Sequence, residues 1–276
     1  MKNKIFKRLV ILSILSLLLI IFFIWQNNDI VISNYVYKSS KLDNNLSGYK
    51  IAQLSDLHNK EFGKNQKKLL DILVDEAPDI IVITGDIVDS KNTDIDIALR
   101  LVKGATKIAP VYYVTGNHEH WLNDEDRNAL LQGLQQYGVT LLDNKAVTVE
   151  KEKCKGFHLI GLSDKNLSDS TLETLCSRIS PDEMKIVLAH EPQYFENYDD
   201  AGADLVLSGH AHGGQIRLPF LGGLVAPNQG FFPKYTSGTY IKNNTTMIVS
   251  RGLGNSIVPI RVFNRPEVVI VTLQKE

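Results

Sequence analysis

Short apolar runs recur along the chain, and several are followed by a stretch with helical spacing. The runs Lys50–Leu54, Ile80–Thr84, Val111–Thr115, Phe157–Leu162, Lys185–Ala189, Leu205–Ser208, Thr246–Ser250, Pro259–Phe263 and Val268–Leu273 read as strands. An earlier β-branched and aromatic stretch, Ile30–Tyr37, reads the same way. Helices are predicted over Asn65–Glu76, Asp94–Thr106, Asp124–Tyr137 and Ser170–Ser177, with a shorter one near Gln193–Tyr198. In the first of these, Leu69, Leu70, Leu73 and Val74 form a core-facing stripe. Strand and helix alternate in the first half, which implies parallel pairing. The last strands follow one another closely, which implies antiparallel pairing. The pattern predicts sheets covered by helices in one α/β domain.

The amino terminus is patterned differently. Lys2, Lys4, Lys7 and Arg8 precede an uncharged, mostly apolar run from Leu9 to Trp25. As a helix this run is about 25 Å long, slightly short of a bilayer core, and Trp25 and the snorkelling basic residues can cover the difference. A cleaved signal peptide is the competing reading. It calls for small residues at a cleavage site, whereas this run ends in Phe22, Phe23, Ile24 and Trp25. Residues 1–28 are therefore expected to be a short cytoplasmic stub and a single-pass transmembrane anchor in the cell membrane. The basic flank places residues 29–276 on the extracytoplasmic side, close to the membrane because the polar gap is short.

Lys and Arg (30) nearly balance Asp and Glu (31), so no global field points to nucleic acid, and no specific nucleic-acid partner is expected. Two cysteines, Cys154 and Cys176, are too few for a disulfide framework; pairing and two free thiols both remain open.

Chemistry gathers where apolar runs end. Asp56 and His58 follow the first, Asp86 the second, Asn117 and His118 the third, His190 the next, and His210 and His212 the one after. Singly these motifs are weak, since a Gly–Asp pair is usually a turn and a lone histidine is usually structural. Jointly they hold five of the seven histidines, and only His120 and His158, left as structural, fall outside. In open α/β sheets such strand ends converge on one crevice. Mixed imidazole and oxygen donors suit two divalent transition metals (Mn, Fe, Zn, Co or Ni, with Mn the leading choice) better than Mg or Ca.

With this ordered set in view, the chain resembles the calcineurin-like metallophosphoesterases from Lys50 to Leu273. Gly209–His210–Ala211–His212–Gly213–Gly214–Gln215 and Gly252–Leu253–Gly254 bring it nearest the membrane-anchored bacterial branch. The resemblance implies a four-layer α/β/β/α sandwich. It implies that Asp56, His58 and His212 bind one metal, that Asn117, His190 and His210 bind the other, and that Asp86 bridges. A water shared by two dications is acidified and can attack phosphorus in line. His118 is placed to serve the leaving group, with Glu119 orienting its ring. Asn59 and Glu119 depart from the commonest family residues without being ligands.

The expected function is a membrane-anchored phosphodiesterase acting on a lipid- or nucleotide-linked envelope substrate. The alternatives are a nuclease or phosphomonoesterase of the same superfamily and a non-catalytic tethered binding module. Arg217 and Arg251 are candidates to meet substrate phosphate. Gly213–Thr239 carries Phe220, Leu221, Phe231, Phe232 and Tyr235. These are expected to pack on the core, the alternative being an apolar rim that admits a lipid-linked ester.

Overall fold

Two-residue periodicity gives each apolar run two faces to bury. In β2 (Lys50–Leu54), Ala52 and Leu54 enter one core while Ile51 enters another. The computed structural model describes residues 2–151, 154–167, 170–255 and 259–276. In it the runs assemble into two six-stranded mixed sheets.

The first sheet has the order β1 (Val31–Ser39), β16 (Glu267–Lys275), β2, β3 (Ile80–Thr84), β4 (Val111–Val114), β5 (Thr140–Leu141). From β2 to β5 the strands are parallel, joined through α2 (Lys67–Glu76), α3 (Ile95–Ala105) and α5 (Asp124–Gln136). The second has the order β14 (Gly238–Lys242), β15 (Thr245–Val249), β9 (Leu205–Ser208), β8 (Lys185–Leu188), β7 (Cys154–Gly161), β6 (Lys145–Lys151). Its outer face carries α6 (Thr171–Cys176) and α7 (Phe195–Asp200).

Three apolar layers glue these four layers together. Leu69, Leu73, Leu101 and Leu134 pack on Leu54, Ile81 and Ile83 outside the first sheet. Ile51, Val82 and Val269 meet Leu159, Ile186 and Leu207 between the sheets. Leu172, Phe195 and Tyr198 cover Val187 and Val206 outside the second. The four-layer α/β/β/α sandwich is thus observed.

The late strands pair only partly as expected. β14 with β15 and β16 with β2 are antiparallel, but β15 runs parallel to β9 and β1 parallel to β16. Pro259–Phe263 is not a strand, because its backbone groups are engaged elsewhere. Arg261 N donates to Asn27 Oδ1, Asn264 N donates to Gln26 Oε1, and Phe263 takes φ 51°. Val262 alone bridges Ile216. Of the α2 stripe, Leu69 and Leu73 are buried while Val74 faces solvent. Cys176 is a free, buried thiol; the side chain of Cys154 lies outside the described residues.

The apolar amino terminus forms α1 (Lys2–Asn28), long and apolar enough to cross a membrane and exposed along its apolar run. Its last turn is pinned to the domain. Gln26 is buried, and Lys60 Nζ and Lys68 Nζ donate to the final carbonyls of Asn27 and Asn28. Cations at a helix carboxyl end satisfy its orphan acceptors and oppose its dipole. Arg265 pairs with Asp29 and lies 4.9 Å from the Trp25 ring centroid.

Beneath this junction Arg261 is fully buried. It donates to Gly254 O (2.5 and 3.2 Å), Asn255 Oδ1 (3.1 Å) and Asn264 O (3.3 Å). Burial pulls its pKa down to about 10, so it stays charged at neutral pH. Arg261→Leu strands these acceptors, and about 3 kcal/mol of unfolding free energy should be lost in urea titrations of the detergent-solubilised chain. Arg261→Lys should recover only part of the loss, because an ammonium lacks the planar fork. Wild-type stability in Arg261→Leu would contradict this role.

Candidate metal centre

Every expected site residue lies just past the carboxyl end of a strand, and the two sheets bring these ends together. Asp56 and His58 follow β2, Asp86 follows β3, and Asn117 and His118 open the short helix α4 (Asn117–Trp121) after β4. From the other sheet, His190 follows β8, and His210 and His212 follow β9. None of the eight is more than 6% exposed.

Five of them reach the centre from left-handed backbone: Asp56 (φ 52°), His58 (45°), Asp86 (54°), His210 (62°) and His212 (47°). Such conformations cost about 1–3 kcal/mol each in non-glycine residues and persist only where the surroundings over-determine them. Here the surroundings are specific. Glu119 Oε2 accepts from Asp86 N (2.8 Å) and Gly116 N (2.7 Å), and Oε1 accepts from Ile87 N (2.9 Å). The Asp86 carboxylate accepts from His118 N (2.9 Å), and that of Asp56 from His210 N (3.0 Å). Backbone also comes too close for any Cβ. A methyl on Gly116 would sit 2.3 Å from Asp86 Oδ1, and one on Gly209 1.9 Å from Ser55 Oγ.

The donor atoms form two adjoining groups. In one, His58 Nε2 and His212 Nε2 are 3.1 Å apart, with Asp56 Oδ1 3.4 Å from the latter. In the other, His190 Nε2 lies 3.1 Å from Asn117 Oδ1, 3.1 Å from His210 Nδ1 and 3.2 Å from Asp86 Oδ2. Asp86 Oδ2 is also 3.6 Å from His58 Nε2, so it stands between the groups. His190 Nδ1 donates to Thr84 O at 2.7 Å, which turns Nε2 into the cluster; burial lowers the pKa of this ring, but the Asp86 carboxylate outweighs that and raises it well above the usual histidine value. Burial pushes the pKa of His58 down to about 4 and that of His210 to about 3, and also lowers that of His212. These rings are therefore neutral at pH 7, the form in which imidazole can bind a metal. Seven donor atoms thus crowd two adjoining spots with Asp86 between them, an arrangement that two dications would hold together. The buried His and Asp groups fit a dinuclear metal site.

His118 is built otherwise. Its Nδ1 accepts from Ser90 N at 3.0 Å, so the neutral ring carries its proton on Nε2 as a donor. Glu119 does not orient this ring as expected, because its carboxylate is spent on backbone amides.

The calcineurin-like phosphoesterase profile matches residues 49–214, which takes in all these groups. The chain belongs to that family. It is accordingly a metal-dependent phosphoester hydrolase. It is 32% identical over 247 residues to the metallophosphoesterase YkuE of Bacillus subtilis, covering 88% of this chain and 85% of the relative. It is 27% identical to the phosphodiesterase YaeI of Escherichia coli, covering 83% of each. Among solved structures, TT1561 of Thermus thermophilus superposes with a TM-score of 0.50 at 11% identity, over 75% of this chain and 91% of that one, a likeness of fold alone.

The centre opens into a cleft of about 270 Å³ lined by His118, Asp89, Lys91, Asn92, Trp121, Pro227 and Asn228. Arg217 and Arg251 do not line it. Arg217 donates to Gly213 O and Thr236 Oγ1, and Arg251 pairs with Glu267. His120 is held by Thr115 and Ser163, and His158 by Thr148 and Glu183, both away from the centre. Sequence reasoning missed Glu191 and Asn228, which face His210 Nε2 at 3.7 and 3.3 Å. Adjacency to His190 could have flagged Glu191; nothing in the pattern flags Asn228.

Gly116→Ala should displace Asp86 while leaving the far-ultraviolet circular dichroism unchanged. Metal content by mass spectrometry should fall, and turnover should drop about 10²-fold, as a displacement near 1 Å suffices for such a loss. Full metal content and turnover would refute the close packing.

Proposed function

We propose that this chain is a membrane-anchored phosphodiesterase with an extracytoplasmic active site. Asp56, His58 and His212 hold one divalent metal, Asn117, His190 and His210 a second, and Asp86 both. The observation that carries this reading is the two adjoining groups of buried imidazole, carboxylate and amide donors with Asp86 between them. Mixed imidazole, carboxylate and amide donors favour Mn, Fe, Zn, Co or Ni, with Mn first. No member of the set is missing, which speaks against a binding module. When bound, the two dications supply Lewis acidity and acidify a shared water for in-line displacement.

The chain's own groups do the rest. His118, its Nδ1 taken by Ser90 N, presents an Nε2 proton to the leaving oxygen and stabilises the charge that develops there. The ring is held upright by Trp121, with ring centroids 5.0 Å apart. Asn228, on the cleft wall, has a polar head within reach of a phosphoryl oxygen. Lys91 is the only lysine or arginine among the described residues lining the cleft, and Asp89 lies beside it. Such a wall suits the single negative charge of a diester better than a dianionic monoester.

The anchor reading draws on the root of α1. Phe22 and Trp25 meet Phe263 and Arg265 of the domain, contacts that cleavage after Trp25 would remove. The basic flank places the amino terminus in the cytoplasm. Protease added to intact cells, with the outer membrane permeabilised where present, should remove the domain. Protection until lysis would reverse the orientation.

Exhaustive chelation should abolish activity, and Mn²⁺ should restore it. Asp86→Ala should lose both metal and activity. His118→Ala should keep its metal and turn over about 10²–10⁴-fold more slowly on alkyl esters, with a smaller loss on a nitrophenyl ester whose leaving group needs no proton. Equal metal loss in both variants would contradict the division of roles.

A further inference from the structure

Directly after His212 the chain leaves the metal loop as two short hairpins, β10 (Arg217–Leu218) with β11 (Gly222–Gly223) and β12 (Val225–Ala226) with β13 (Gly230–Phe231). Of the five large apolar residues of this stretch, only Tyr235 packs inside. Phe220 is fully exposed, and Phe231, Leu221 and Phe232 are 76, 66 and 63% exposed. This overturns the expectation that they pack on the core. Solvent exposure of several large apolar side chains on adjacent tips marks a contact surface rather than scatter.

Hydrogen bonds fix where these tips lie. Arg217 N donates to Val262 O, Leu224 N to Ile216 O and Phe232 N to Leu224 O, so both hairpins continue one row that starts at Val262. The next residue along, Phe263, is itself 56% exposed, and its ring meets that of Phe22 in the apolar run of α1 at 5.6 Å. Ile216 bridges Val262 in parallel, so the chain runs toward the Phe220 tip in the same sense as it runs from Val262 to the helix. The exposed aromatics are thus continuous with the side of α1 that is long and apolar enough to enter a bilayer. Lys234 follows them with its ammonium in solvent, the aromatic-plus-basic pairing suited to a headgroup layer.

We propose that the two hairpin tips, Phe220–Leu221 and Phe231–Phe232, dock into the lipid leaflet from which α1 emerges. The proposal rests on α1 being retained in the membrane. It also narrows the substrate. Pro227 and Asn228, which line the cleft, belong to the turn of the second hairpin, so the element that enters the lipid also forms the mouth of the site. The phosphoester taken there is one presented at headgroup depth, an amphiphile held by its own acyl chains. Isolated side chains on two-residue hairpins, with no groove between strands, fit disordered lipid better than a folded partner.

Full-length Phe220→Trp and Phe231→Trp, reconstituted in phosphatidylethanolamine–phosphatidylglycerol vesicles, test this. Ile241→Trp is the control, since Ile241 is exposed on β14 and pairs beside the start of β9, at the opposite end of that strand from His210. After subtraction of the wild-type signal, emission from positions 220 and 231 should be quenched about twofold by brominated acyl chains and spared by aqueous iodide. Position 241 should show the reverse. Iodide quenching at all three positions, in vesicles that keep the chain through alkaline carbonate, would overturn the docking while leaving the anchor intact. Shielding from both quenchers would overturn it in favour of a second copy or another protein. Release of the chain by carbonate would remove the anchor reading and this proposal together.

Discussion

Everything in this molecule is arranged around the repulsion of two buried carboxylates, Asp56 and Asp86, and the crowding of imidazoles about them. Imidazole nitrogens, two carboxylates and an amide oxygen approach within 3.1–3.6 Å of one another at the junction of two sheets. Cations of the right softness turn the repulsion into coordination, so the apolar packing of two sheets and the affinity for metal are two sides of one constraint.

Holding that geometry demands an unusual backbone, and the fold distributes the cost. Left-handed turns after β2, β3 and β9 let consecutive residues aim side chains in directions a strand forbids. Glu119 shows how these turns are stabilised. A carboxylate placed beside a metal site would ordinarily read as a ligand, yet it accepts amides from the Asp86 and Gly116 turns and so fastens two strand ends to each other. Burial raises its pKa to about 7, and neighbouring Asp86 pushes the same way. A dication that neutralises Asp86 favours the ionised form that holds the turns.

Much of this was written in the sequence because its signals were local. β2, β3 and β9 start and end where the apolar runs do, and the first site residue follows each run after a single intervening residue. The strand ends had to meet if the sheets were parallel, and they do. What was not legible depended on partners far away. Pro259–Phe263 has strand composition, but Asn27 and Arg217 take its amides and carbonyls. Val74 fits the helical stripe of α2, but nothing in the fold reaches over to cover it. The orientation of Glu119, the diversion of Arg217 and Arg251 and the placing of Asn228 are settled by contacts between distant segments, which no periodicity records.

The place of β16 carries a consequence of a different kind. It lies between β1 and β2, paired with β1 from Val31–Glu267 to Ser39–Lys275, so the last residues of the domain form an interior strand of its first sheet. A nascent chain can assemble β2 to β5 early, but β1 has no neighbour to zip onto until the carboxyl terminus arrives. Contacts this distant in sequence close late and slowly. The edge of β2 stays open in the interval, a template for wrong pairing. Completion of the first sheet thus falls after β16 has been made, and any earlier stop in synthesis leaves the fold without its seam.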